Sequence, residues 1–307
     1  MKRYLLRRLA LTLPVLIGTA TLVFLLLRLL PTEVVIDRIL GEQAPESQRA
    51  ALRHELGLDR PLGAQYATYL RGLAQGDLGT SLEKGRPVTG LIRERLRATF
   101  LLAAAAALFA LVVSLPLGLV AARTAGRWPD RLATLGAVLG ASLPSFWLGP
   151  LLILVFAVQL DWLPVSGMSA SGSLILPAVT LGAGLAAHLA RMVRGSLVEA
   201  MGHDYGRTAR AKGLGETRAL LRHLLPNALI PVVTVLALQL GMLLTGAIIT
   251  ETVFAWPGLG VLLLHAIDFR DYPLVQGCVL TIALTYLLVN LLADLSYALL
   301  DPRIRLS

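Results

Sequence analysis

Residues 199–227 read EAMGHDYGRTARAKGLGETRALLRHLLPN and lie between strongly apolar runs. Counting Arg191 and Arg194 just upstream, the stretch brings seven Arg or Lys residues together. A charged, helix-prone loop of this length between membrane spans is large enough to be a docking surface. It points to something on the cytoplasmic side that pushes or reads a membrane protein.

The composition agrees with a membrane class. Hydrophobic residues make up 56% of the 307 and charged residues only 15%. The mean hydropathy is +0.71. A soluble domain carries about 25% charged residues. The apolar blocks are long enough for helices that cross a hydrocarbon core, which takes about 20 residues. Backbone groups in lipid must bond internally, so the spans are expected to be helical. A β-barrel would show short alternating segments instead of continuous Leu, Ala and Val. The net charge of +9 does not point to nucleic acid, because the basic residues sit at the ends of apolar blocks, as cytoplasmic loops require. The single Cys278 can form no intrachain disulfide.

Apolar blocks at 9–30, 99–122, 132–160, 174–193, 229–250 and 272–300 predict six transmembrane helices with both termini cytoplasmic. The first follows Lys2, Arg3, Arg7 and Arg8 and is too long for a signal-peptide core. The loop signs alternate to match. Arg123, Arg127 and Arg131 mark an inside loop, and 161–173 has no basic residue. The basic 194–228 loop is inside, and 251–271, with three acids and one Arg, is outside. This gives a first helix (1–30), a small extracytoplasmic subdomain of near-balanced charge (31–97) and a permease-like core (98–307). Gly136 and Gly140 form a small-residue face, read as ordinary helix packing.

Within the basic loop, residues 199–212 have helical propensity, Gly213-Leu214-Gly215 breaks the pattern, and 216–225 resumes it before Pro226. Two short helices joined at a glycine turn make a knob that fits a groove on a partner. The run Tyr205, Arg207, Thr208, Ala209, Arg210, Ala211, Lys212, Gly213, Leu214, with Leu225-Pro226 at its end, resembles the coupling loop of ABC importer permeases. Arg207, Thr208 and His223 depart from the general pattern in the way usual in the peptide-permease branch. A second stretch, ETVFAWPGLG at 251–260, is followed by Arg270-Asp271-Tyr272-Pro273 and a terminal Asp301-Pro302-Arg303-Ile304. With Gly57-Leu58-Asp59-Arg60-Pro61 and Gly76-Asp77-Leu78-Gly79, it resembles the larger-loop permease subunit of dipeptide, oligopeptide and nickel importers. Leu30-Pro31-Thr32-Glu33 departs from the family's usual Pro-Gly-Asp-Pro.

The resemblance implies an all-α permease of the type I importer kind in a bacterial inner membrane. It implies a second homologous permease, two ATPase subunits (identical or different) that hold ATP and Mg, and an extracytoplasmic binding protein. The cargo it implies is di- or oligopeptides, with nickel or glutathione as the alternative. The chain has no GxxxxGK[ST] phosphate loop, so no ATP or other cofactor is expected in it and it is not expected to be an enzyme.

The loop around Gly213 is the expected point of force transfer. The competing reading, a surface-lying amphipathic helix, lacks a Trp or Phe anchor. Glu251, Phe254, Trp256, Pro257, Gly258 and Gly260 are expected to contact the binding protein or shape the outer gate, against a plain interfacial anchor. Gln239, Asn290 and Asp294 are pathway candidates, the last two sharing a helix face at i and i+4. His188 reads as a packing residue. The five scattered His residues offer no metal spacing on one span. A membrane enzyme would need a base at the depth of Ser114, Ser142 or Ser145, and none is in an obvious partner position. A non-transporting receptor or scaffold would not depend on an ATPase partner.

Overall fold

The computed structural model describes residues 2–29, 32–204 and 215–300. All regular structure among them is helical. Five helices are long and apolar enough to cross a membrane, or six if one bent pair counts as a single span. The chain divides into two compact units, Met1–Ala98 with Pro257–Thr285, and Thr99–Trp256 with Tyr286–Ser307. The division runs across the predicted 1–30, 31–97 and 98–307, because the Pro257–Thr285 segment packs with the N-terminal residues.

The first unit holds α1 (Lys2–Arg28), three short helices α2 (Thr32–Leu40), α3 (Glu46–Glu55) and α4 (Leu62–Ala74), and the start of α5 (Val88–Arg123). α5 begins 11 residues before the predicted 99–122 span and runs 36 residues. That is roughly 54 Å of helix, well beyond a hydrocarbon core. Its early turns are amphipathic: Leu91 and Ile92 are buried while Arg93 and Glu94 are exposed. On α2 and α3, Arg49 pairs with Glu33 at 2.9 Å and Asp37 at 2.5 Å, and Arg53 pairs with Glu33 at 2.7 Å. Arg49 first, then Arg53, holds the Glu33 carboxyl below its ordinary range. The stabilisation from this depressed pKa is therefore present above the unfolded value and fades as pH falls through the folded one.

Sequence motifs far apart in the chain meet in this unit. Gly79 has φ +83°, and its N–H donates to Asp77 Oδ1 at 2.8 Å. A Cβ there would be strained by that φ and would sit 3.4 Å from Pro273 Cβ. Asp271 is fully buried. It accepts from Ser81 Oγ at 2.5 Å, from Glu83 N at 3.3 Å, and from Leu274 N at 3.2 Å. The last bond caps the final helix, α12 (Tyr272–Leu300), so one carboxylate ties the 77–87 loop to a helix start. Beside it, the predicted outside loop 251–271 contains a helix, α11 (Leu259–Asp268). Its Leu259, Leu262, Leu263 and Ala266 pack with Val88, Leu91, Ile92, Leu274, Val275 and Cys278. Asp271→Ala is expected to cost about 2–3 kcal/mol, from a lost cap and the orphaned buried hydroxyl of Ser81. A thermal-shift comparison of the purified complex checks this; an unchanged midpoint would contradict it.

The second unit is built on α5, α8 (Ile175–Gly202) and the helix that follows the basic loop. That helix starts as α9 (Glu216–Ala219), passes through a π-turn (Leu220–Leu224) and continues as α10 (Leu225–Val253). Pro226 therefore does not close the loop before a span: it follows the π-turn directly, inside a helix that runs unbroken from Glu216 to Val253. Ala103, Ala106, Ala107 and Ala110 of α5 form a small-residue face against Leu185, Leu189 and Val193 of α8. A Cβ on Gly182 would lie 2.5 Å from the Ala106 carbonyl, so the helices touch backbone to backbone there.

The predicted span 132–160, which holds Pro144 and Pro150, is a bent pair of helices. α6 (Trp128–Ser142) ends, and α7 (Ser145–Leu152) with its π-helical continuation Ile153–Gln159 sets off at 104°. Pro144 forces the break: Leu143 before it is extended with ψ 118°, as the pyrrolidine ring demands. α6 packs on α8, and α7 on α8 and α10. A Cβ on Gly140 would stand 3.6 Å from the Ala187 methyl, whereas one on Gly136 would meet nothing within 4 Å.

Candidate functional site

The second unit contains a concavity of about 360 Å³ between α8 and α10, closed at one side by Ala141 and Ser145. From α8 it takes Leu181, Gly184, Leu185, His188 and Arg191, and from α10 Gln239, Met242, Leu243 and Gly246. Both sets follow the i, i+3, i+4, i+7 rhythm of one helix face, so each helix turns a single stripe toward the space. The volume lies in the range of small-molecule sites.

The polar groups are one guanidinium, one imidazole, one carboxamide and one hydroxyl, with no carboxylate. Such a wall donates hydrogen bonds and carries positive charge, so it suits ligands rich in carboxylate and carbonyl oxygen. Leu181, Leu185, Met242 and Leu243 add apolar surface. His188 is exposed into this space, which corrects its reading as a packing residue. Arg191, taken in the sequence as the approach to a basic loop, faces the same space. The signal that could have found them was their i, i+3 spacing on an otherwise apolar, small-residue helix.

Of the pathway candidates, Gln239 lines the concavity. Asn290 and Asp294 do not: both are half-buried, and Asn290 Oδ1 lies 3.1 Å from where a Cβ on Gly241 would stand.

Of the basic loop, Tyr205, Arg207, Thr208, Ala209, Arg210, Ala211, Lys212, Gly213 and Leu214 lie outside the described residues. Its flanks are described. α8 stays helical to Gly202, past the predicted loop start at 194. Leu225 is half-buried against the core, and Pro226 is exposed. Arg123 Nη2, at the end of α5, donates to Thr217 Oγ1 at 3.3 Å.

A half-buried ion pair stands beside this region, and sequence reading missed it. Asp130, in the first turn of α6, receives Arg194 Nε at 2.5 Å and Nη2 at 2.7 Å. It also accepts from Gly126 N at 2.9 Å. The bidentate pair locks α6 to α8. The available signal was a lone acid within the run of Arg123, Arg127 and Arg131.

Most of the 251–260 stretch is interior, with Thr252 and Ala255 exposed. Glu251, Phe254 and Trp256 are at most 1% exposed, so their side chains present no surface to a docking protein and no interfacial anchor to lipid. Thr99 Oγ1 donates to Glu251 Oε1 at 2.6 Å. Phe254 packs with Ala157 and Leu176, and its carbonyl accepts from Gly167 N at 2.9 Å. Ala255 turns the chain with φ 46°, a strained value for a residue with a Cβ. Pro257 is half-buried, and Gly258 and Gly260 are buried at the start of α11. Among the described residues no group of three or more His, Cys, Asp or Glu could hold a metal ion.

A family model described as binding-protein-dependent transport system inner membrane component matches residues 114–306. The model for the N-terminal part of such membrane components matches residues 1–103. The glutathione transport system permease protein GsiC of Salmonella paratyphi A is 45% identical over 305 residues, 99% of each chain. The Escherichia coli protein of the same name is 44% identical over the same span. The inward-facing MetNI methionine ABC transporter aligns with TM-score 0.58 at 22% identity, covering 69% of this chain and 96% of that one. An amino acid ABC transporter with histidines aligns with TM-score 0.54 at 16% identity, covering 68% and 94%.

Proposed function

Since this chain belongs to the binding-protein-dependent transport system inner membrane components, the permease subunits of ABC importers, we propose that it forms half of a pathway for glutathione or a closely similar small peptide. The observation that carries this reading is the concavity between α8 and α10, with Arg191, His188, Gln239 and Ser145 on its wall and no acid. Glutathione is a small tripeptide with two carboxylates and several amide carbonyls, the chemistry that such a wall favours. The glutathione permeases at 44–45% identity support the same choice. They move the weight from di- and oligopeptides at large, the first expectation, to the alternative. Nickel has no comparable support in this chain.

A second homologous permease completes the pathway on this reading. Two ATPase subunits dock on the cytoplasmic loops of the two permeases, in this chain the 194–228 loop, and a binding protein delivers the cargo from outside. Both termini and the basic loop face the cytoplasm, and the α2–α4 segment within 31–97 faces outward. The basic residues beside the apolar blocks support that orientation. The 251–260 stretch, being mostly interior, acts as part of the outer gate and not as the docking face.

Uptake kinetics test the site. Arg191→Gln is expected to raise the KM for glutathione roughly tenfold, the worth of one charged hydrogen bond, with the ATP consumed per solute unchanged. His188→Gln has a smaller effect in the same direction. Membrane vesicles carrying the assembled importer and its binding protein provide the measurement. An unchanged KM in both variants would remove the concavity from the proposal.

A further inference from the structure

In the first unit, α1 turns one face onto α4. Thr21 Oγ1 and the Tyr66 hydroxyl are 2.5 Å apart. Phe24 stacks on Tyr69, with ring centroids 5.5 Å apart, and packs against Tyr66 at 5.2 Å. Arg28 lies one turn beyond Phe24 and is carried to the same place. Its guanidinium stands 4.6 Å from the centre of the Phe24 ring and 5.5 Å from that of Tyr272. Its Nε donates to Gln65 Oε1 at 2.8 Å.

What this cation lacks is an anion. Among the described residues no Asp or Glu pairs with it, and its electrostatic neighbours are the two phenols of Tyr272 and Tyr69. Its Nη1 is buried with no hydrogen-bond partner. The Tyr69 hydroxyl, the Tyr272 hydroxyl and Gln276 Nε2 are in the same condition. Gln276 follows Tyr272 by one turn of α12, and the two are only 7% and 5% exposed. Burial pushes the Tyr69 phenol up to about 12, so its hydroxyl keeps its proton and donates.

A half-buried guanidinium without a counter-ion is unfavourable, and buried donors in native proteins find acceptors. Four side chains whose unpartnered atoms can all donate, one of them cationic, suit an oxyanion. Position selects the kind. Arg28 closes an 18-residue apolar run, Leu11–Arg28. That run is roughly 27 Å long, so the guanidinium stands where hydrocarbon gives way to headgroups. Leu22, Leu25, Leu26 and Leu29 are 58%, 51%, 54% and 79% exposed and lead up the same helix to that level.

We propose that Arg28, Tyr69, Tyr272 and Gln276 form a binding site for the phosphate of an anionic phospholipid headgroup, with its acyl chains along Leu22, Leu25, Leu26 and Leu29. The site clamps α1 to α4 and α12 through a ligand that the membrane supplies.

The test uses the assembled importer in nanodiscs of phosphatidylcholine with a minor fraction of phosphatidylglycerol. After detergent exchange, native mass spectrometry counts the lipid retained. The wild-type complex is expected to retain phosphatidylglycerol at about tenfold higher occupancy than Arg28→Gln, with Tyr69→Phe between them. Arg38→Gln, an exposed guanidinium over the Phe269 ring, is the control and should match wild type. Should Arg28→Gln fail to assemble, Tyr69→Phe decides, because it keeps the stacked ring and loses only the hydroxyl. Retention equal to wild type in the variants, or no preference over phosphatidylcholine, would overturn the proposal. Displacement of the lipid by millimolar inorganic phosphate would assign the site to free phosphate and overturn the lipid as its source.

Discussion

Gly213→Pro is expected to leave the importer assembled and hydrolysing ATP while uptake falls roughly a hundredfold, the upper end of a typical coupling between two sites. In the sequence the residue falls where Gly213-Leu214-Gly215 interrupts two helix-prone runs, the expected turn of the basic loop. Proline there fixes φ and removes a donor, so the turn loses the freedom that a moving knob needs. The described flank shows why the effect should reach far. From Glu216 to Val253 the chain is helical for 38 residues, and this rod carries Gln239, Met242 and Gly246 to the concavity. On the proposed reading, a push on the loop would thereby reach the wall of the concavity. The π-turn at Leu220–Leu224 is the one irregular stretch of that rod, and such turns are places where helices yield. ATPase activity and solute uptake measured on the same preparation check the prediction. Normal coupled uptake in the variant would sink the force-transfer reading.

Arg194→Ala should lower stability by breaking the tie between α6 and α8. It leaves the Asp130 side chain, 5% exposed, with no cation and only the Gly126 amide and Thr134 close by. The loss is about 2–3 kcal/mol, below the full cost of breaking a buried pair because the Arg194 side chain is 35% exposed. Asp130→Ala should cost less, since the freed guanidinium can turn to water. The double variant should fall short of the sum of the singles, because the second change removes the charge that the first stranded. Thermal unfolding of the purified complex supplies the cycle. Strict additivity would mean that the pair does not act as one clamp between α6 and α8.

The spans were legible because lipid-facing and core-facing positions are both apolar, so helices in a membrane read as continuous runs. The extra turns of α5 were not, since Arg93, Glu94, Arg95 and Arg97 hide a helix whose other face holds Leu91 and Ile92. Pro144 was visible, but a proline in lipid either kinks or breaks a helix, and the packing of α7 on α8 and α10 decides which. The motifs of the outer segments could be quoted from sequence, yet their purpose could not. Only folding brings Ser81 and Gly79 to Asp271 and Pro273, about 190 positions away. Likewise ETVFAWPGLG looks like an exposed aromatic belt by composition, and burial makes it an interior joint. In the concavity, Gln239 was found because a lone amide in an apolar span is conspicuous. His188 and Arg191 were discounted because they lie near a helix end, where positive charge has an ordinary explanation.

The most direct measurement is ATP-driven accumulation of labelled glutathione in proteoliposomes. They would hold this chain, its partner permease, the ATPases and the binding protein, with a dipeptide and nickel as competitors. The expected result is saturable, ATP-dependent glutathione uptake that disappears when this chain is omitted and yields little to either competitor. Transport of the dipeptide or of nickel with no accumulation of glutathione would contradict it.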